Sequence, residues 1–166
     1  MDAYMEHLVK KNTEPKDLIL KFGSIGLIAA ATIAVFFFSP AFSIMVGLGL
    51  AMLYRYLIFP LTDIEYEYLY CDKTITVSKI MAKEKRKDLE TFDIDKMEIL
   101  APSNSYRLGE FKNRDLKEVN YWSMDSSREE PPYAMIYEGG RKILLDLPED
   151  FVKLVQNNAP RKVFFD

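Results

Sequence analysis

The chain has 166 residues, with 22 Lys and Arg against 25 Asp and Glu and a formal net charge of −3. From Phe22 to Tyr54, however, 33 consecutive residues contain no Asp, Glu, Lys, Arg or His. An apolar run of this length all but excludes a single soluble globular domain. Cys71 is the only cysteine, so there is no intrachain disulfide framework. The mixed, nearly balanced charge after the run argues against a nucleic-acid partner.

Residues 1–17 are predicted to form an amino-terminal cytoplasmic segment. Tyr4, Met5, Leu8 and Val9 recur at helical spacing, with charged residues on the other side. This pattern predicts a short helix lying in the membrane interface. A frayed polar tail is the alternative.

The apolar run is predicted to form a two-helix transmembrane hairpin over residues 18–61. As one helix, 33 residues would reach about 50 Å, well beyond a hydrocarbon core of about 30 Å. Ser39-Pro40 divides the run, because proline cannot donate to the helix ladder, and the spans are placed at about 18–38 and 41–59. A signal peptide is rejected, since the preceding charged segment is long and balanced in charge.

Small residues four apart in each span predict how the two helices pack. An antiparallel pair would set Ala34 against Ser43, Ala30 against Gly47 and Gly26 against Ala51. Small residues allow close approach of helix backbones in lipid. The alternative is a chance match, since Ala and Gly are common in spans. The predicted packing face is therefore Gly26, Ala30, Ala34, Ser43, Gly47 and Ala51.

The positive-inside rule gives the orientation. Lysines before the first span, with Lys21 and Arg55 at the span ends, place this side of the hairpin in the cytoplasm. We therefore expect a multi-pass protein of the plasma membrane with both termini cytoplasmic.

Residues 62–166 read as about seven strands followed by one helix. Alternation begins at Ile64, and the clearest local signal is a Gly139-Gly140 turn between Tyr133–Glu138 and Arg141–Asp146. A polar loop is predicted over 125–132, and Pro148 opens a helix that Pro160 closes. The predicted fold is an α+β membrane protein with a small antiparallel β-barrel or curled sheet capped by the carboxy-terminal helix.

The chain resembles an uncharacterised family of small bacterial two-span membrane proteins with a pleckstrin-homology-like (PH-like) cytoplasmic domain. The resemblance rests on the apolar double block, Ile64–Tyr68 after it, the basic stretch Lys83–Lys87, Glu98–Pro102, and the closing Leu154…Pro160–Val163. It covers nearly the whole chain and implies this architecture. It brings no activity and no catalytic residues.

The residues indicate no catalytic constellation. His7 is the only histidine and lies outside residues 62–166, and Cys71 has no histidine partner within them. Carboxylates at alternate strand positions are typical of the solvent-exposed face of a sheet. We expect no cofactor, no metal and no enzymatic activity.

The best candidate for function is a basic cluster between the second and third predicted strands: Lys79, Lys83, Lys85, Arg86 and Lys87. The linker Pro60–Asp63 reaches at most about 14 Å, which keeps the domain against the inner leaflet. Basic side chains there contribute about 1 kcal/mol each toward an anionic surface. The alternative is a solvated hairpin end pointing into the cytoplasm.

Aromatic residues in or near loops are the second candidate: Tyr106, Tyr121, Trp122 and Tyr133. One of Tyr121 and Trp122 must face the core on an alternating strand.

The predicted function is a membrane-anchored interaction module that presents the PH-like domain at the inner leaflet to a protein partner or to lipid headgroups. Its expected partners are the bilayer, an unidentified protein or anionic lipid. The alternative is a small oligomerising subunit of a membrane transport or pore assembly. Against this alternative, the spans contain no ionisable residue to mark an ion path between Lys21 and Arg55 at their ends, since Phe22–Tyr54 is free of charged residues.

Overall fold

A computed structural model describes residues 4–125 and 130–166. It divides into two compact units, which are considered separately. The sheet unit comprises the residues up to Lys11, Glu65–Lys79 and Lys87–Asp166, and the helical unit comprises Asn12–Ile64 and Ile80–Arg86.

The helical unit contains two apolar helices packed against each other. Helix α1 spans Pro15–Phe36, with Pro15 at its first turn and a capping box between Glu14 and Asp17. Helix α2 spans Pro40–Leu53 and continues through a π-helical turn, Tyr54–Ile58, into α3, Phe59–Thr62. Two continuous segments, Pro15–Phe36 and Pro40–Thr62, are long and apolar enough to cross a membrane. The predicted division at Ser39-Pro40 is confirmed, whereas most of the predicted linker Pro60–Asp63 is helical.

The amino-terminal segment is a strand, so the predicted interfacial helix is wrong. Strand β1, Met5–Lys10, alternates half-buried and exposed residues and pairs antiparallel with β2, Ile64–Cys71. A helix of six residues is marginal on its own, whereas the edge of β2 offers this segment a hydrogen-bonded ladder. Residues 1–3 of the predicted segment lie outside the described residues.

The described residues form two four-stranded sheets. The first has the order β1-β2-β3-β4, where β3 is Thr74–Met81 and β4 is Lys85–Asp93. The second has the order β5-β7-β8-β6, and its strands are Met97–Pro102 (β5), Lys117–Asn120 (β6), Tyr133–Tyr137 (β7) and Arg141–Leu145 (β8). The predicted Gly-Gly hairpin is confirmed, with both glycines at positive φ.

The predicted closed barrel and purely antiparallel pairing are not observed. A 3-10 turn at Ile94–Lys96 follows β4, and β5 belongs to the other sheet. Among the described residues, no strand pairing joins the two sheets. Strand β6 runs parallel to β8 and lies on the opposite side of β8 from β7, which is antiparallel to it. Of the predicted loop over 125–132, residues 126–129 lie outside the described residues.

Helix α4, Glu149–Asn158, closes the core of the sheet unit, as predicted. Phe151, Val152 and Val155 are fully buried. The Phe151 ring lies 6.0 Å from that of Tyr70 on β2, and Phe92 on β4 lies 5.2 Å from Tyr137 on β7. Aromatic pairs from both sheets and the helix therefore share one core.

Candidate functional site

The second apolar helix changes its geometry immediately before its end. Pro60 has no N–H to donate, and its ring crowds the carbonyl four residues earlier. The turn Tyr54–Ile58 before it is π-helical, and the Phe59 N–H donates to the Tyr54 carbonyl. Such single π turns are frequent at functional sites. Arg55, the first charged residue after the apolar run, lies in this turn.

The turn between β3 and β4 has two consecutive non-glycine residues in the left-handed region. Ala82 and Lys83 have φ values of 52° and 57°. This left-handed region costs a non-glycine residue roughly 1–2 kcal/mol. The Ala82 N–H donates to the Asp63 carbonyl at 2.8 Å, and Ala82 is buried. The hairpin tip is thus fixed to the residue that follows α3.

Charged and aromatic side chains join this hairpin tip to the end of the second helix. Arg55 Nη2 donates to Glu84 Oε1 at 2.8 Å, and the Arg55 guanidinium lies 4.6 Å from the centroid of the Phe59 ring. Lys85 Nζ lies 4.4 Å from the centroid of the Tyr56 ring. Both are cation–π distances. We call the set Arg55, Tyr56, Lys83, Glu84, Lys85 and Arg86 the basic tip.

The structure brings part of the predicted basic cluster together. Lys83, Lys85 and Arg86 belong to the helical unit with Arg55, whereas Lys79 and Lys87 belong to the sheet unit. In the sequence Arg55 marks only the end of a span, and its contact with Glu84 was not predicted. The signal that could have found it is the first cation after an apolar run, five residues before a proline.

All the charge of the helical unit lies at the end that carries the basic tip. Phe22–Tyr54 contains none, and the helices are antiparallel, so the start of α1 and the end of α3 lie together. The opposite end carries Phe37 and Phe38, which are 83% and 93% exposed. The charged residues of this unit are Glu14, Lys16, Asp17, Lys21, Arg55, Asp63, Lys83, Glu84, Lys85 and Arg86.

The face of α1 that packs against α2 is not the predicted one. Gly26, Ala30 and Ala34 are exposed, as is Ala51 on α2, whereas Ser43 and Gly47 face inward. On α1 the more protected residues are Ser24, Ile28, Thr32 and Val35.

The face of α1 that packs against α2 uses serine and threonine as its small residues, where glycine and alanine were predicted. Thr32 Oγ1 donates to the Ile28 carbonyl at 2.8 Å and Ser24 Oγ to the Leu20 carbonyl at 2.6 Å. Bonded within their own helix, these side chains pack as small residues. A Cβ placed at Gly47 would lie 3.2 Å from Thr32 Cγ2.

The aromatic candidates do not form one surface. Trp122 packs against a core cluster of the sheet unit, as predicted for one of the Tyr121–Trp122 pair, and Tyr106 is 72% exposed. Burial raises the pKa of Tyr121 and of Tyr133 above the usual tyrosine value. Cys71 is exposed at the end of β2. Among the described residues, no group of three or more His, Cys, Asp or Glu side chains could hold a metal ion.

These features define a class of α+β protein: two packed sheets and a closing helix, with an apolar helical pair inserted between the first two strands. The family model described as bacterial PH-like domain (DUF6106) matches residues 1–165, and the chain belongs to this family. The resemblance inferred from the sequence is thereby confirmed. Searches of curated proteins and of solved structures found no match.

Proposed function

We propose that the protein is a non-catalytic interaction module whose PH-like domain is held at the cytoplasmic face of the cell membrane by its helical pair. One observation carries the proposal. Lys10, the last residue of β1, is the register partner of Glu65 at the start of β2. The apolar helices are therefore an insertion between two paired strands, and both ends of the anchor continue directly into the sheet.

This insertion constrains the topology in a membrane. Because Lys10 and Glu65 are strand partners, the chain must return to the side from which it entered. Two spans satisfy that condition, and a single span does not. Both termini then lie on one side of the bilayer with the whole sheet unit.

The charge distribution supports the cytoplasmic side. The helical unit has six basic residues at its charged end against four acidic ones, and its other end carries none. Positive charge near span ends favours the cytoplasmic face. Tethering at a surface raises the effective concentration of a binding module toward partners on that surface, without chemistry of its own.

A crosslinking experiment in intact cells tests this function. A photo-crosslinking amino acid at Tyr106, which is exposed in the sheet unit, is placed in the full chain and in a variant with residues 12–63 replaced by a short Gly-Ser linker. The strand register allows this linker to close a β1–β2 hairpin. We expect the full chain to sediment with membranes and to form a discrete adduct with another protein, and the variant to be soluble and to lose the adduct.

Two results would contradict the proposal. One is an adduct of equal yield from the soluble variant, because the anchor would then contribute nothing to the interaction. The other is a soluble full chain. Failure of the full chain to form any adduct at Tyr106 and at a second exposed position, Lys112, would count against a protein partner.

A further inference from the structure

We infer that the basic tip, together with a groove on the second apolar helix, binds one anionic phospholipid of the inner leaflet. This inference rests on the proposed membrane insertion and names the lipid class at that membrane surface. The groove would hold an acyl chain, and the cations would hold the headgroup phosphate.

The groove is an apolar depression directly beside the basic tip. Its lining comes from Gly49, Met52, Leu53, Arg55 and Tyr56, and its volume is about 560 Å³. Gly49 contributes no side chain to this lining, and a Cβ placed there would meet no atom within 4 Å. Met52 and Tyr56 are 75% and 68% exposed. An acyl chain fits this lining, which is almost entirely apolar.

The polar end of the groove carries donors suited to phosphate. Arg55 uses Nη2 toward Glu84, and a guanidinium has five N–H donors in all, so it can hold Glu84 and bind phosphate together. Lys85 Nζ lies over the Tyr56 ring that lines the groove. One cation on the helix and one on the hairpin therefore flank the same opening.

Charge decides between anionic and zwitterionic headgroups. The charged end of the helical unit, which includes the basic tip, has six basic residues against four acidic ones. An added choline or ethanolamine group would bring a positive charge into this excess, whereas a glycerol headgroup would not. Tyr54 and Tyr56 flank Arg55, and tyrosine is typical of the membrane–water boundary, where headgroup phosphates lie.

Native mass spectrometry of the full chain in detergent, titrated with dioleoyl phosphatidylglycerol or dioleoyl phosphatidylcholine, tests the site. We expect phosphatidylglycerol to bind more tightly, and the double variant Arg55→Gln with Lys85→Gln to weaken its binding about tenfold. Glu84→Gln should strengthen it, because an opposing charge is removed. The matched control Lys112→Gln with Lys117→Gln removes two exposed cations of the sheet unit and should change nothing.

A separate variant tests whether the groove holds the acyl chain. Gly49→Leu fills it and should weaken binding of both lipids, whereas Gly23→Leu, also in open space, should weaken neither. Inorganic phosphate should not compete, because it lacks the chain.

Equal affinity for the two lipids, or unchanged phosphatidylglycerol binding in the double variant, would overturn the lipid site. Either result with the chain still in the membrane fraction leaves the anchoring role intact. A full chain that does not partition into membranes would instead overturn the proposed function itself.

Discussion

The Tyr68 hydroxyl links the two sheets within the core of the sheet unit. It donates to the Tyr121 carbonyl at 2.5 Å and accepts from the Asp146 N–H at 3.3 Å. The Asp146 carboxylate, itself buried, accepts from the Ser123 N–H at 2.7 Å. The side chain of Tyr68 is fully buried. Its hydroxyl therefore provides the hydrogen-bond partner of two backbone groups, the Tyr121 carbonyl and the Asp146 N–H.

We therefore expect Tyr68→Phe to lower the free energy of unfolding by about 1–3 kcal/mol, because it leaves the buried Asp146 N–H and the partly buried Tyr121 carbonyl without this partner. Thermal unfolding in detergent, followed by Trp122 fluorescence, measures the change. Tyr106→Phe removes a hydroxyl from a side chain that is 72% exposed and should shift stability by less than about 0.5 kcal/mol. Equal effects of the two variants would contradict the assignment.

One buried and two half-buried tyrosines also give the domain a pH dependence in the alkaline range. Burial raises the pKa of Tyr121 and of Tyr133 above 10, and it raises that of Tyr70 although the hydrogen bond from Asn158 opposes the shift. Above pH 10 the unfolded chain releases these protons and the folded chain retains them. Stability is therefore full below about pH 10 and falls as the pH rises through the folded-state values.

Tyrosinate absorbance during a pH titration checks this. At the same pH above 10, the folded protein should show less tyrosinate than the denaturant-unfolded protein, and Tyr121→Phe or Tyr133→Phe should remove part of the late-titrating signal. Superimposable curves for folded and unfolded chains would refute it.

At the scale of elements, the helical pair depends on one close approach. Gly47 on α2 lies against Thr32 on α1, and there is no room for a larger side chain between them. The predicted face through Gly26 points into open space instead. Substitutions at Gly47 and at Gly26 therefore distinguish the observed packing face from the predicted one.

We expect Gly47→Leu to destabilise the helical pair by about 1–3 kcal/mol through overpacking against Thr32. Gly26→Leu should have little effect and serves as the control. Resistance of the detergent-solubilised protein to thermal and sodium dodecyl sulfate denaturation reports the difference. A larger loss of stability from Gly26→Leu than from Gly47→Leu would instead support the packing face predicted from the glycine and alanine spacing.

For the whole molecule, the insertion of the helices between β1 and β2 predicts which parts of the chain face outward. Only the connection around Ser39 should be external. In intact cells, we expect a membrane-impermeant maleimide to label Ser39→Cys in a Cys71→Ser background. The native Cys71, which is exposed in the sheet unit, should react only after the membrane is opened. Labelling of Cys71 in intact cells would reverse the orientation.

Much of the architecture was predictable from local signals. Pro40 at the start of α2, the Gly139-Gly140 turn and Pro148 before α4 each fix a backbone conformation within a few residues, so the elements beside them are found without tertiary information. The candidate site was found in part, because a run of cations is visible in sequence. Its contact with Arg55 was not, since that contact joins residues 29 apart.

The amino-terminal strand shows why the remainder was not predictable. Tyr4, Met5, Leu8 and Val9 fit a helical period, and β1 forms only because β2, more than fifty residues later, supplies its ladder. The face of α1 that packs against α2, and the division of the strands into two sheets, likewise depend on contacts between residues far apart in sequence.

The uneven distribution of charge, with 33 residues free of it, by itself determined that this chain has an apolar helical pair and a separate polar domain. That conclusion follows from solvation, which depends on composition along the chain. Only the tertiary structure decided that the helical pair is inserted between two paired strands and that Thr32 contacts Gly47. It also decided that Glu84 of the β3–β4 hairpin contacts Arg55 at the end of the second apolar helix. These depend on pairing and packing between residues far apart in sequence, which local patterns do not encode.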